Sequence, residues 1–160
     1  MATNLIDRKA RDKAAELLRQ FASGRITNFE LENCWPSSKD QAILNLDSTI
    51  WCFYDDFKEH KLQGPFALTP KMKRVVARWI VFLHTNEPYQ WPNIAYPGVR
   101  PLHRSWIVRR LGLINLVTRA EQRFMNAGSF EVWPFISVQS YENARKRPKL
   151  LSGSSMERRN

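Results

Sequence analysis

At 160 residues the chain is the size of one domain, and its 43% hydrophobic and 12% aromatic content excludes a disordered polymer. Two cysteines, Cys34 and Cys52, are too few for a disulfide framework and too far apart for a metal clip. They read as core thiols of a protein kept in a reducing, cytoplasmic setting. The net charge of +10 points away from basic partners, and the longest apolar run, Trp79 to Leu83, is far short of the roughly 20 residues of a membrane span.

The opening residues, Met1 to Arg11, lack the apolar core of a signal peptide. Asp7 is placed to cap a first helix running to about Ala22, with Ala10, Ala14, Leu17, Leu18 and Phe21 as its apolar stripe and Gly24 as a left-handed stop. Thr27-Asn-Phe-Glu30 has the pattern of a capping box and opens a short helix ending before Trp35-Pro36. Ser38-Lys-Asp-Gln41 reads as a second box. It predicts a longer helix to about Lys61, with Ile43, Leu46, Ile50, Phe53, Tyr54 and Phe57 at near-helical spacing and Gln63-Gly64-Pro65 closing it.

The best-defined element follows. Thr69 suits an N-cap and Pro70 the first helical position. Met72, Val75, Val76, Trp79, Ile80, Phe82 and Leu83 then share one broad face, with Lys71, Arg74 and Arg78 on the opposite side. Thr85 to Pro101 holds four prolines and predicts an irregular loop. Periodicity alone does not separate helix from strand over Ser105 to Val117, though the flanking signals favour a buried helix with a further helical turn to about Ala127. Ser129 to Val138 reads as a short extended segment interrupted by Pro134, and a last short helix reaches about Arg145. Three Trp-Pro pairs, at 35–36, 91–92 and 133–134, favour tryptophans that pin loops onto the core over a surface aromatic site. The sum is a mainly α, compact multi-helix domain over residues 5–145, with a basic, disordered tail over 146–160.

No phosphate loop, nucleophile elbow or zinc-protease motif is present, and only six glycines are available for backbone cradles. The most chemical-looking cluster is Asp55, Asp56, Glu59 and His60, which a continuous helix would gather. A metal site there needs further ligands, with His84 and His103 the only other imidazoles, and a solvated acidic face offset by Lys58 and Lys61 is the simpler reading. No metal or cofactor is expected, and a metal-dependent enzyme centred on Asp56 and His60 stands as a distant third reading.

Charge is segregated along the chain. The stretch from Ile26 to Leu68 carries 3 basic and 7 acidic residues, whereas Thr69 to Gly128 carries 10 basic and 2 acidic. Lys71, Arg74, Arg78, Arg100, Arg104, Arg109 and Arg110 are therefore the candidate partner-binding residues, with Arg119 and Arg123 beyond them. Such a surface suits an acidic macromolecule. A protein partner, as for a regulatory or immunity factor, is preferred over nucleic acid, because no helix-turn-helix, RNA-recognition or zinc-finger pattern occurs. The run Arg145-Lys-Arg-Pro-Lys149 has the composition of a nuclear localisation signal or a nucleic-acid anchor.

Phe21-Ala-Ser-Gly-Arg-Ile-Thr-Asn-Phe-Glu30, Ala77-Arg-Trp-Ile-Val-Phe-Leu83 with Tyr89-Gln-Trp-Pro92, and Val132-Trp-Pro-Phe135 resemble a group of small uncharacterised bacterial proteins, over most of the chain up to about Arg145. The resemblance implies a bacterial source and no transferable activity. It also disfavours the nuclear-localisation reading.

Overall fold

A computed structural model describes residues 5–55, 57–94, 97 and 119–146. Helix α1 (Arg8–Ala22) begins where Asp7 accepts the Ala10 N–H, and Gly24, at φ +69°, turns the chain after it. The positive φ is what calls for glycine there, since the nearest atoms an added Cβ would meet belong to the exposed side chain of Gln63. Helix α2 (Asn28–Cys34) opens with the complete capping box of Thr27 and Glu30. Helix α3 (Gln41–Ile50) is followed by one 3-10 turn over Trp51–Phe53 and another over Gly64–Phe66. Helix α4 (Pro70–Leu83) is capped by Thr69. Helices α5 (Arg119–Ala127) and α6 (Val138–Arg145) complete the helices among the described residues, with no strand among them. The fold is thus mainly helical and compact, as the sequence predicts. The loop predicted from Thr85 begins as irregular chain to Ile94. Ser105 to Val117 and the tail from 147 lie outside the described residues.

Packing of α1 against α4 is the centre of the molecule. Ala14, Ala15, Leu18 and Phe21 of α1, Val76, Trp79, Phe82 and Leu83 of α4, and Leu46 and Ile50 of α3 are buried together. Small alanines on α1 let the helices approach, and the large aromatics of α4 fill the space. Trp79 meets Phe53 and Trp133 edge-on at 5.1 and 5.6 Å between ring centroids. Trp91 donates to the Pro134 and Phe135 carbonyls at 3.0 and 3.2 Å, and Trp133 donates to the Tyr89 hydroxyl at 3.1 Å. These two tryptophans do pin loops to the core. Burial pushes the Tyr89 hydroxyl well above its ordinary pKa, so it stays protonated.

Two arginines of α1 finish the C-terminus of α4. Arg8 donates to the Leu83 carbonyl and, at 2.8 Å, to that of Thr85, while Arg11 reaches the carbonyls of Thr85 and Glu87 at 3.1 and 2.8 Å. A helix C-terminus leaves carbonyls without partners and carries partial negative charge, so cations are favoured there on both counts.

Three expectations are corrected. Asp40, not Ser38, caps α3: its carboxylate accepts the Ala42 N–H at 2.9 Å, and Ser38 instead bridges to Asp7. The helix predicted to reach Lys61 stops at Ile50. Two carboxylates at 55 and 56 oppose a helix C-terminus, and buried Asn28 draws the segment away by accepting the His60 N–H and donating to the carbonyls of Asp55 and Lys58. Ser129 to Val138 is not extended. It holds a 3-10 turn over Phe130–Val132 before α6, with a cis peptide at Trp133–Pro134.

Candidate functional site

The basic face of α4 divides in two. Lys71, Lys73 and Arg74 in its first turns are exposed, and none makes an ion pair with a described residue. No acidic residue stands in the first turn. Backbone N–H groups already make a helix N-terminus partly positive, and each cation placed there costs roughly 0.3–1 kcal/mol. Helix stability therefore does not account for three of them. Arg78, by contrast, is half-buried and donates through Nε to the Trp133 carbonyl at 2.7 Å. Burial pulls its guanidinium pKa down. It clasps the Trp133 turn onto α4 and is withdrawn from the surface.

Arg119 and Arg123, one helical turn apart on α5, are exposed and make no ion pair with a described residue. Arg100, Arg104, Arg109 and Arg110 lie outside the described residues. Lys73 was not among the residues singled out from the sequence. It belongs with Lys71 and Arg74 because at the end of a helix exposure extends around the whole turn, which a stripe drawn along the axis omits.

The acidic cluster is not gathered on a helix. Asp55 takes the Phe57 N–H at 2.8 Å, Glu59 accepts from the Thr27 hydroxyl at 2.8 Å, and the His60 ring contacts the Lys58 carbonyl through Nδ1 and stacks on Phe66 at 4.1 Å. Asp56 and His103 lie outside the described residues. Among the described residues no group of three or more His, Cys, Asp or Glu is placed to hold a metal ion. Cys34 and Cys52 are both exposed, correcting their assignment to the core. Cys52 leaves the core because the helix it was assigned to ends two residues before it.

A second surface feature was not read from the sequence. The end of α2 and the outer side of α3 enclose a groove of about 330 Å³ lined by Glu32, Trp35, Pro36, Ile43, Leu44, Asp47 and Trp51, with Ser37 and Ser38 at its edge. Leu44 and Trp51 are exposed, and the indole nitrogen of Trp35 is buried with no hydrogen-bond partner. Burial, and then the charge of Glu32, raise the Asp47 carboxyl above its ordinary value. The Trp35-Pro36 pair and the acidic balance of residues 26–68 were the available signals.

Among the described residues no helix is long and apolar enough to cross a membrane. No family model, curated protein or solved structure matches the chain.

Proposed function

We propose that the chain is a non-enzymatic binding protein, of regulatory or immunity type, that presents a basic surface to an acidic macromolecular partner, a protein rather than a nucleic acid. The observation that carries this reading is the set of three exposed cations, Lys71, Lys73 and Arg74, at the positive end of α4 without carboxylate partners among the described residues. Their field adds to that of the helix, and unpaired charge at a surface is available for docking and for steering an acidic partner.

Three observations favour a protein. A protein that contacts about 6–10 phosphates binds nucleic acid with steep salt dependence, whereas Arg78 is engaged internally and, among the described residues, the local cluster is three cations. Trp91 and Trp133 are buried and so offer no stacking platform beside it. Half-buried Met72 and Val75 on the same helix supply apolar surface of the kind protein interfaces use.

The test is anisotropy with a fluorescent Glu/Asp-rich peptide and with single- and double-stranded oligonucleotides, for the wild type and a Lys71→Ala/Lys73→Ala/Arg74→Ala variant. Saturable binding of the acidic peptide, lost in the variant, supports the reading. Equal binding by the variant defeats it. Oligonucleotide binding that exceeds peptide binding and falls steeply with salt transfers the surface to the nucleic-acid alternative.

A further inference from the structure

The groove between α2 and α3 is opposite in character to the basic end of α4. Its walls are mixed, apolar where Trp35, Trp51 and Leu44 line it and polar elsewhere, and its charge is that of Glu32 and Asp47. Neither carboxylate makes an ion pair with a described residue. The two repel one another across a partly desolvated space, a destabilising arrangement that a cation between them would reverse.

The features converge on one kind of ligand. Indole faces attract cations, and the planar guanidinium both stacks on an aromatic ring and forks onto carboxylates, which an ammonium does less well. The aliphatic stem of arginine suits the Leu44 wall.

We propose that this groove binds an arginine side chain of a peptide segment from another protein, with Glu32 and Asp47 meeting the guanidinium and Trp35 and Trp51 flanking it. The site is separate from the basic end of α4, and either stands without the other. About 330 Å³ is enough for one side chain and its adjoining peptide groups.

The experiment titrates N-acetyl-alanyl-arginyl-leucinamide into the full chain while the indole N–H resonances are followed by NMR, with the glutaminyl and glutamyl analogues as controls. A saturable shift of the Trp35 indole signal with the arginyl peptide alone is expected. Glu32→Gln/Asp47→Asn should weaken binding about tenfold or more. Affinity should also fall as pH drops and Asp47, raised by burial and by Glu32, takes up a proton. No saturable shift, equal shifts with the glutaminyl analogue, or binding untouched by the double carboxylate variant would each overturn the proposal. Self-association of the chain that disappears in the double carboxylate variant, with no peptide binding, would also overturn it and assign the groove to a second copy.

Discussion

Arg11 and Asp40 form a two-pronged ion pair closed off from solvent, with Nε 2.6 Å from Oδ2 and Nη2 3.1 Å from Oδ1, and side chains 0% and 1% exposed. The remaining valences are filled too. Asp40 accepts the backbone N–H of Asp7 and of Ala42, and Arg11 Nη1 takes two carbonyls beyond α4 while its guanidinium lies 5.3 Å from the centre of the Phe82 ring. One pair therefore joins the start of α1, the start of α3 and the end of α4. Buried charge is tolerated only when satisfied in this way.

Removing one partner should strand the other. Arg11→Met and Asp40→Asn are each expected to cost about 3–5 kcal/mol in urea denaturation. Asp40→Asn retains a side-chain oxygen for the cap on α3, so its loss reports the ion pair. A loss under about 1 kcal/mol would mean that water reaches the pair.

His84, buried at the end of α4, gives the fold a dependence on pH. Arg19 donates to its Nε2, which places the ring proton on Nδ1, 3.6 Å from Asp12. Burial first, then the charge of Arg19 against the weaker help of Asp12 and with that of Arg8, lower its pKa. The unfolded chain therefore binds the proton more readily. Stability is expected to be full above the ordinary histidine value of about 6.5 and to fall as pH drops through the lowered value. His84→Gln, which keeps an acceptor for Arg19, should flatten urea midpoints measured between about pH 7 and 5. Asp7, lowered by its hydrogen bonds to Ala10 and Ser38, acts in a separate window below about pH 4.

Asn28 holds the segment from Asp55 to His60 through three side-chain hydrogen bonds and is itself fully buried. That segment presents Phe57 almost entirely to solvent, at 97% exposure. Asn28→Ala is expected to lower stability by about 1–3 kcal/mol and to speed limited proteolysis near Phe57 more than elsewhere. Proteolysis unchanged in rate and position would show that Asn28 does not hold the loop.

These elements show what the sequence makes legible. α1, α2 and α4 announce themselves because the cap, the apolar stripe and the stop are all local, and each lies where the pattern puts it. The end of α3 is not local: it is set by Asn28, more than twenty residues away, and by rings at 53 and 54 that turn toward Trp79 and Phe21. The same limit applies to the surface. Lys71 and Arg74 are legible as the wet side of a helix, but the engagement of Arg78 depends on a carbonyl 55 residues later. The groove at Trp35 and Trp51 exists only because α1 packs against both α2 and α3 and so brings Glu32 and Trp35 near Leu44, Asp47 and Trp51.

Gly128 marks another contact that composition conceals. A Cβ there would sit 2.3 Å from the Ile136 carbonyl oxygen, the atom that accepts the Ser129 N–H at 3.0 Å. The obstacle is backbone, so relief requires the turn between α5 and α6 to open. Gly128→Ala is expected to lower stability by about 1–3 kcal/mol in urea denaturation, and an unchanged midpoint would show that the turn yields freely.

Under the proposed function, Lys71, Lys73 and Arg74 serve docking and not folding. Thermal unfolding of the Lys71→Ala/Lys73→Ala/Arg74→Ala variant tests it most directly, because alanine removes three like charges from the positive end of α4. The midpoint is expected to stay level or to rise by a few degrees, at about 2–4 °C per kcal/mol for a chain of this size. A fall of several degrees would mean that the three cations are tied into the fold, and would contradict their assignment to a partner.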